Sequence, residues 1–227
     1  MNKYKIISVG GSIIIPESGF DVGFLKKFRA LLIKRVRAGD RLVLVVGGGA
    51  TCRAYQEAAR RAVKLTATDL DWIGIKSTVL NAEFVRCLFK EYAHPEVISR
   101  PRRRLVAGKP IIVASGWQPG HSTDHDAVLL ARAYGAKEII NLSNTDYVYD
   151  RDPRRFPAAR KLMQISWREF RRLVGSRWTP GANLPFDPVA ARHAARLGLT
   201  VKFVKGTNLP AVARALTERK FRGTIIS

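Results

Sequence analysis

Residues 116–131 read GWQPGHSTDHDAVLLA. His121, Ser122, Thr123, Asp124, His125 and Asp126 follow one another directly, behind a Pro119-Gly120 turn and ahead of an apolar run. Two chemistries suit that set. Imidazoles and carboxylates together can ligate a transition metal. Alternatively Ser122 or Thr123 caps a helix whose first turn favours the acids, leaving small polar groups to face a ligand. His121 and His125 are four apart, but a helix that begins near Ser122 or Thr123 does not oblige them to share a face.

Two glycine clusters bear on the choice. Gly10-Gly11-Ser12 and Gly47-Gly48-Gly49 each follow a short apolar run. Glycines after strands let backbone N–H groups approach and cradle phosphate oxygens. Neither cluster is a Walker A loop, because no Gly-Lys-Ser/Thr follows, and neither fits G-x-G-x-x-G. A phosphate cradle built from them must be shared between loops. Arg53, four residues past Gly49, falls at the start of the next helix on the same rim, and its guanidinium suits bidentate phosphate contact.

The elements that must carry these loops alternate. Strands are expected at 4–9, 41–46, 110–114, 138–142, 200–204 and 223–227. Helices are expected at 21–38, 51–63, 70–91, 188–197 and 208–218, with one opening at the 116–131 loop. Alternation of this kind predicts a three-layer αβα sandwich with a mainly parallel central sheet, in which ligands sit beyond the carboxyl ends of the strands. Each of the first four strands ends on Gly, Ser, Thr, Asn or Asp, which puts four polar loops on one rim. Residues 175–188 read as linker-like.

With 227 residues, one domain with a substantial core is expected. No apolar run is long enough to span a bilayer, and the N-terminus lacks a signal-peptide cleavage pattern. Cys52 and Cys87 form neither a disulfide framework nor zinc spacing, which suits a reducing cytoplasm. Forty Lys and Arg against 18 Asp and Glu give a net charge of +22. That balance attracts phosphate-bearing partners. We read it as the surface of an enzyme with an anionic substrate; RNA association is the alternative, and no RNA-binding signature with interleaved aromatics accompanies the charge. The basic run at 100–104 reads as a solvated loop. Trp72, Trp167 and Trp178 read as packing residues. His94 and His193 show no partner pattern.

The segments SVGGS, VVGGGATCRAYQEAA, DWIGIKSTVLNA, PGHSTDHDAVLLA and NTDYVYDRDP stand in the order and spacing of the amino acid kinase superfamily. They most resemble its hexameric UMP kinase branch in the archaeal-type form, and the likeness runs through DPVAARHAARLGLTV to the terminal GTIIS. The resemblance implies ATP-dependent phosphorylation of UMP to UDP, with Mg²⁺ on the ATP and no metal ligands of the protein's own. It implies an acceptor lobe over about 1–135, an ATP lobe over about 136–227, and a homohexamer.

The resemblance also implies roles for individual residues. Ser8, Val9, Gly10, Gly11 and Ser12 match the first glycine loop on the ATP phosphates, with Gly49 and Arg53 on the same side and Arg53 carrying the transferring charge. Gly48 and Asp71 match UMP contacts, Asp71 receiving the ribose hydroxyls. Trp117, Gln118, Pro119, Gly120, His121, Ser122 and Thr123 match the loop around uracil and ribose. Asp124 matches the organiser of the catalytic centre. Ser143, Asn144, Tyr149 and Asp152 match the adenosine site. On this reading the opening loop serves a nucleotide rather than a transition metal.

Several positions depart from the family pattern. A lysine common before the first glycine loop is Ser8, although archaeal-type members also lack it. A lysine of a KAG segment is replaced by Thr179-Pro180-Gly181, with Arg177 or Lys76 as candidate sources of the missing charge. A glycine of the VDGVYD pattern is Tyr147, the small residues after the STD aspartate are His125 and Asp126, and an acid near the helix end is Arg132. An isopentenyl phosphate kinase, the alternative acceptor chemistry on this fold, needs a phosphate-binding histidine after the triple glycine. None stands between Gly49 and His94.

Overall fold

The computed structural model describes residues 4–101, 104–106, 108–153, 155–179 and 184–227. The first strand, β1 (Tyr4–Val9), runs into a single helical turn, α1 (Gly11–Ile14), and then α2 (Val22–Arg37), which starts where Asp21 accepts the Phe24 N–H. Strand β2 (Arg41–Val46) leads through the triple glycine to α3 (Gly49–Ala62) and α4 (Ala67–Leu88). Thr66 and Asp69 close a reciprocal capping box at the start of α4. Then come β3 (Ile111–Ala114), α5 (Thr123–Tyr134) and β4 (Glu138–Ser143). The last third holds β5 (Val148–Tyr149), β6 (Lys161–Leu162), β7 (Gln164–Ile165), α6 (Trp167–Val174), α7 (Pro188–Arg196), β8 (Thr200–Lys205), α8 (Leu209–Leu216) and β9 (Thr224–Ile226).

The seven-stranded sheet has the order β3-β2-β1-β4-β8-β9-β7. From β3 to β8 every pair is parallel; β9 runs antiparallel to β8 and carries β7 parallel to itself. The sheet is therefore mainly parallel, as the alternation predicts, with a reversed edge. Alternate strand residues divide between two cores. Ile7, Val9, Leu44, Val113 and Leu142 pack against Phe28 and Leu32 of α2, Val85 of α4 and Val212 of α8. Ile6, Val43, Ile112, Ile139 and Phe203 pack against Val128 of α5, Phe170 of α6 and Ala190 of α7. That division makes three layers.

The chain departs from the alternation in two places. The first glycine cluster coils into α1 instead of remaining a loop. The 145–174 stretch, in which the sequence analysis places no element, holds β5–β6, β7 and α6. The box Ser166–Glu169 that starts α6 was legible as Ser-x-x-Glu; its side chain and backbone exchange both capping bonds. The two-residue strands carry no periodicity to read. Of the linker-like 175–188 stretch, residues 180–183 lie outside the described residues, as do 102 and 103 in the basic run.

Candidate active site

The strand order reverses at β1. The chain moves from β1 outwards to β2 and β3, then returns to place β4 on β1's other side. At such a switch point the loops leaving adjacent strands diverge and open a crevice.

On one side of the crevice the two glycine clusters interlock. Gly10 N–H donates to Leu142 O at 2.9 Å and Gly47 N–H to Val9 O at 3.0 Å. A Cβ on Gly11 would stand 2.0 Å from Gly49 N and 2.7 Å from Gly47 C. Gly49 itself has φ +60°, in the left-handed region. The contacts are backbone on backbone, so the two loops fix each other.

Helix α4 explains the DWIGIKSTVLNA segment. Asp71, Gly74, Thr78 and Asn81 follow at i, i+3, i+7 and i+10, one face of a helix. Asp71 accepts the Gly120 N–H at 2.8 Å. Thr78 Oγ1 accepts the Gly116 N–H at 2.8 Å. Asn81 Nδ2 donates to Gly47 O at 3.0 Å and Gly48 O at 2.8 Å. At Gly74 a Cβ would come within 3.2 Å of Gln56 Nε2 and 3.4 Å of Cys52 Sγ on α3. One helix face thus holds both the triple glycine and the 116–122 loop.

Two cavities open along the crevice. The first, about 570 Å³, is lined by Ser12, Gly48, Gly49, Arg53, Asp71, Trp117, Gln118, His121, Ser122 and Thr123, and by Asn144. The second, about 460 Å³, is lined by Ser143, Asn144, Tyr149 and Asp152. Asn144 belongs to both and marks their junction. Arg53 is half-exposed in the first cavity, its Nε 3.1 Å from Glu17. Arg151, Tyr147, Leu173 and Pro185 also line the second, so aromatic and aliphatic side chains both border it.

The remaining candidates line neither cavity. Val9 is enclosed in the sheet, Gly10 and Gly11 form the loop weave, and Pro119 and Gly120 form the turn that Asp71 holds. Ser8 and Asp124 act together. Ser8 is register partner of Asn141, and both face the layer that α5 covers. Asp124 Oδ1 accepts from Ser8 Oγ at 2.9 Å and Asn141 Nδ2 at 3.0 Å, while Oδ2 accepts the Asp187 N–H at 3.2 Å. Asp124 therefore ties β1, β4 and the start of α7 together. Loss of hydration, then the neighbouring Asp187 charge, push its pKa up to about 6, against the hydrogen bonds that favour the carboxylate.

Asp187 was missed from the sequence, though Asp-Pro opening an apolar run is a helix-start signal. It caps α7 through Val189 N–H and reaches back to accept the Ser122 N–H at 2.6 Å, where Ser122 caps α5. The two helix starts share one carboxylate.

The histidines do meet. The His121 and His125 rings are 4.4 Å apart, and His125 Nε2 lies 3.1 Å from His193 Nδ1. His193, given no partner from the sequence, thus has one on α5. Burial, then the nearby His121 and His193, lower the His125 pKa to about 3, so the His125 ring is neutral at ordinary pH. Among the described residues no three His, Cys, Asp or Glu side chains form a group that could hold a metal. Lys76 and Arg177, the candidate replacements for the family lysine, are exposed and line neither cavity; Pro180 and Gly181 lie outside the described residues. Of the tryptophans read as packing, Trp167 is in the core. Trp72 is exposed, and Trp178 lines the first cavity.

Asp126 is the unusual group. It is 1% exposed at the cavity floor, and neither carboxyl oxygen meets hydrogen-bond geometry. Burial raises its pKa well above the usual carboxylate range; the Trp117 backbone N–H opposes the shift, and Asp187 and Asp124 add to it. An acid whose native pKa is raised favours folding most where both states are protonated, below about pH 4, and loses that advantage as pH rises through the native pKa. Asp126→Asn should therefore melt close to wild type near pH 4 and about 5 °C or more above it at pH 8, as scanning calorimetry would record. A wild-type advantage that grows with pH would contradict this account.

Comparison with known proteins shows the family. The sequence pattern of the Amino acid kinase family matches residues 3–205. A uridylate kinase of Methanocorpusculum labreanum is 35% identical over 225 residues, 97% of this chain and 94% of its own. One from Pyrococcus abyssi is 37% identical over 86% of each chain. The crystal structure of uridylate kinase from Archaeoglobus fulgidus superposes with a TM-score of 0.81 at 30% identity, covering 99% of this chain and all of that one. The chain belongs to the amino acid kinase family, among its uridylate kinases.

Proposed function

We propose that the protein transfers the γ-phosphoryl group of ATP to the phosphate of UMP, giving UDP and ADP. The observation that carries this reading is the pair of cavities meeting at Asn144, one with a carboxylate and an arginine, the other bordered by tyrosines and aliphatic side chains. UMP takes the first, its vicinal hydroxyls at Asp71 and its phosphate near Gly48, Gly49 and Arg53. ATP takes the second, its base between Tyr149 and the Leu173 side and its triphosphate passing Ser143 and Asn144 towards Ser12. Residues up to about 135 mainly serve the acceptor and those after about 136 mainly serve ATP; Ser12 and Arg53 on one side and Asn144 and Trp178 on the other cross that division.

Phosphoryl transfer between two bound phosphates needs alignment and positive charge more than covalent chemistry. The acceptor oxygen is already anionic, so no general base is required. Arg53 supplies charge, and the glycine weave holds the two loops at fixed separation. Asp124, which holds β1, β4 and α7 at the switch point, keeps the two halves in register. Mg²⁺ enters as the counter-ion of ATP, neutralising phosphate charge. The described residues offer no multidentate cage for it, so phosphate oxygens and water would be its main ligands.

Free Cys52 and Cys87 are consistent with a cytoplasmic enzyme of pyrimidine nucleotide supply. Exposed Tyr55 on α3 and Trp72 and Leu80 on α4 offer apolar surface for self-association, in line with a homohexamer.

Incubation with Mg-ATP and, separately, UMP, CMP, dUMP or isopentenyl phosphate tests the reaction. ADP release is expected with UMP above all. Protein that binds ATP, turns over none of these acceptors, and instead binds RNA in a salt-dependent, saturable way would overturn the reading in favour of a binding module.

A further inference from the structure

Trp178 comes from the segment between α6 and α7 and lines the first cavity. Its Nε1–H points at the Asp71 carboxylate, 3.2 Å from Oδ1 and 3.3 Å from Oδ2. The indole is half-buried and lines the cavity, while its neighbours Arg177 and Thr179 are exposed and line neither cavity. Asp71 is 8% exposed and already accepts the Gly120 N–H through Oδ2. Two donors from separate segments of the chain thus hold this carboxylate. An ionised carboxylate offers about four acceptor positions, so hydrogen-bonding capacity remains after both are counted.

That arrangement is more than packing. A tryptophan that only filled space would turn its ring into one of the two cores. This one turns its polar edge to the cavity's carboxylate and its ring to the cavity. Tryptophan combines a large rigid contact area with one N–H donor, which suits a wall against a nucleoside whose hydroxyls meet the same carboxylate.

We propose that Trp178 is an acceptor-binding residue: its ring walls the ribose end of the first cavity, and its N–H orients Asp71 towards the hydroxyls of the bound nucleoside monophosphate. The proposal rests on the reading that UMP occupies this cavity. It also gives the segment between α6 and α7 a part in acceptor recognition, although, Asn144 apart, the other residues lining this cavity come from before residue 135.

Steady-state kinetics on Trp178→Ala and Trp178→Phe test it, with calorimetric titration of UMP in the absence of ATP. Trp178→Ala should raise the KM and Kd for UMP about tenfold, with kcat and the KM for ATP within about twofold of wild type, the pattern of lost uniform binding. Trp178→Phe keeps a ring but not the donor and should fall between, at about threefold. A merely structural role would lower kcat or move both KM values together. UMP constants within twofold of wild type in both variants, or an equal rise for ATP, would overturn the proposal. If Trp178→Ala does not fold, Trp178→Phe decides by the same comparison. A wild-type protein that neither binds nor phosphorylates UMP removes the functional reading and this inference with it. Wild-type turnover with an unaltered Trp178→Ala removes the inference alone.

Discussion

Replacing Gly11 by alanine should destabilise the protein by about 4 kcal/mol or more, lowering its melting temperature by about 10 °C or preventing folding. The added Cβ would lie 2.0 Å from Gly49 N, 2.6 Å from Gly49 Cα and 2.7 Å from Gly47 C. All three atoms are backbone, so no flexible side-chain end can swing away. The intruded loop cannot retreat either. Asn81 holds the Gly47 and Gly48 carbonyls, and Gly47 N–H is bonded to Val9 O. Any folded fraction should also lose turnover, because separating the loops moves Gly48, Gly49 and Ser12 in the first cavity. Gly108→Ala, at a glycine with open space around it and no positive φ, is the control and should melt within about 2 °C of wild type. Equal melting of the two variants would show that the loops are not locked against each other.

Arg53→Ala should lower kcat/KM for UMP phosphorylation by about 10²–10³, the usual loss when one preorganised charge on a developing oxyanion is removed. On the proposed reading the first cavity receives phosphate charge from two substrates, and Arg53 is the cationic residue of its lining among the described residues. Stability should change little. The Arg53–Glu17 pair is solvent-exposed, with side-chain exposures of 44% and 80%, and exposed pairs contribute within about 1 kcal/mol. Arg53→Lys should recover part of the rate, since it keeps the charge and loses the fork geometry. Near-wild-type turnover of Arg53→Ala, measured as ADP release with UMP, would move charge stabilisation to some other group.

Much of the fold was legible because its signals are local. Apolar runs such as RLVLVV, closed by glycines, mark buried parallel strands, and Asp21 and Thr66 stand where helix caps must. The two-residue strands β5, β6 and β7 were not legible, since period-two alternation cannot appear in a pair of residues. Nor was the reversal of β9. Its residues are as apolar as those of β8, and direction depends on the end of the sheet from which the chain enters the strand after α8, which no local pattern records.

The sequence by itself determined that glycine loops, an acid on a helix and a hydroxyl-rich turn lie on one rim, because in a parallel α/β sheet every strand's carboxyl end faces the same way. The purpose of the α4 stripe was also implicit, since 71, 74, 78 and 81 must share a face on any helix. Only the tertiary structure decided which groups touch across the chain. Ser8 and Asn141 become partners of Asp124 through the register of β1 with β4, and a shift of one residue would turn both to the opposite core. His193 meets His125, and Asp187 joins the starts of α5 and α7, through the packing of two helices whose meeting residues stand 65 and 68 positions apart in sequence. Trp178 reads as packing in a one-dimensional string because tryptophan usually is. Its place beside Asp71, 107 residues away, depends on where the segment after α6 crosses the crevice, and no local pattern encodes that path.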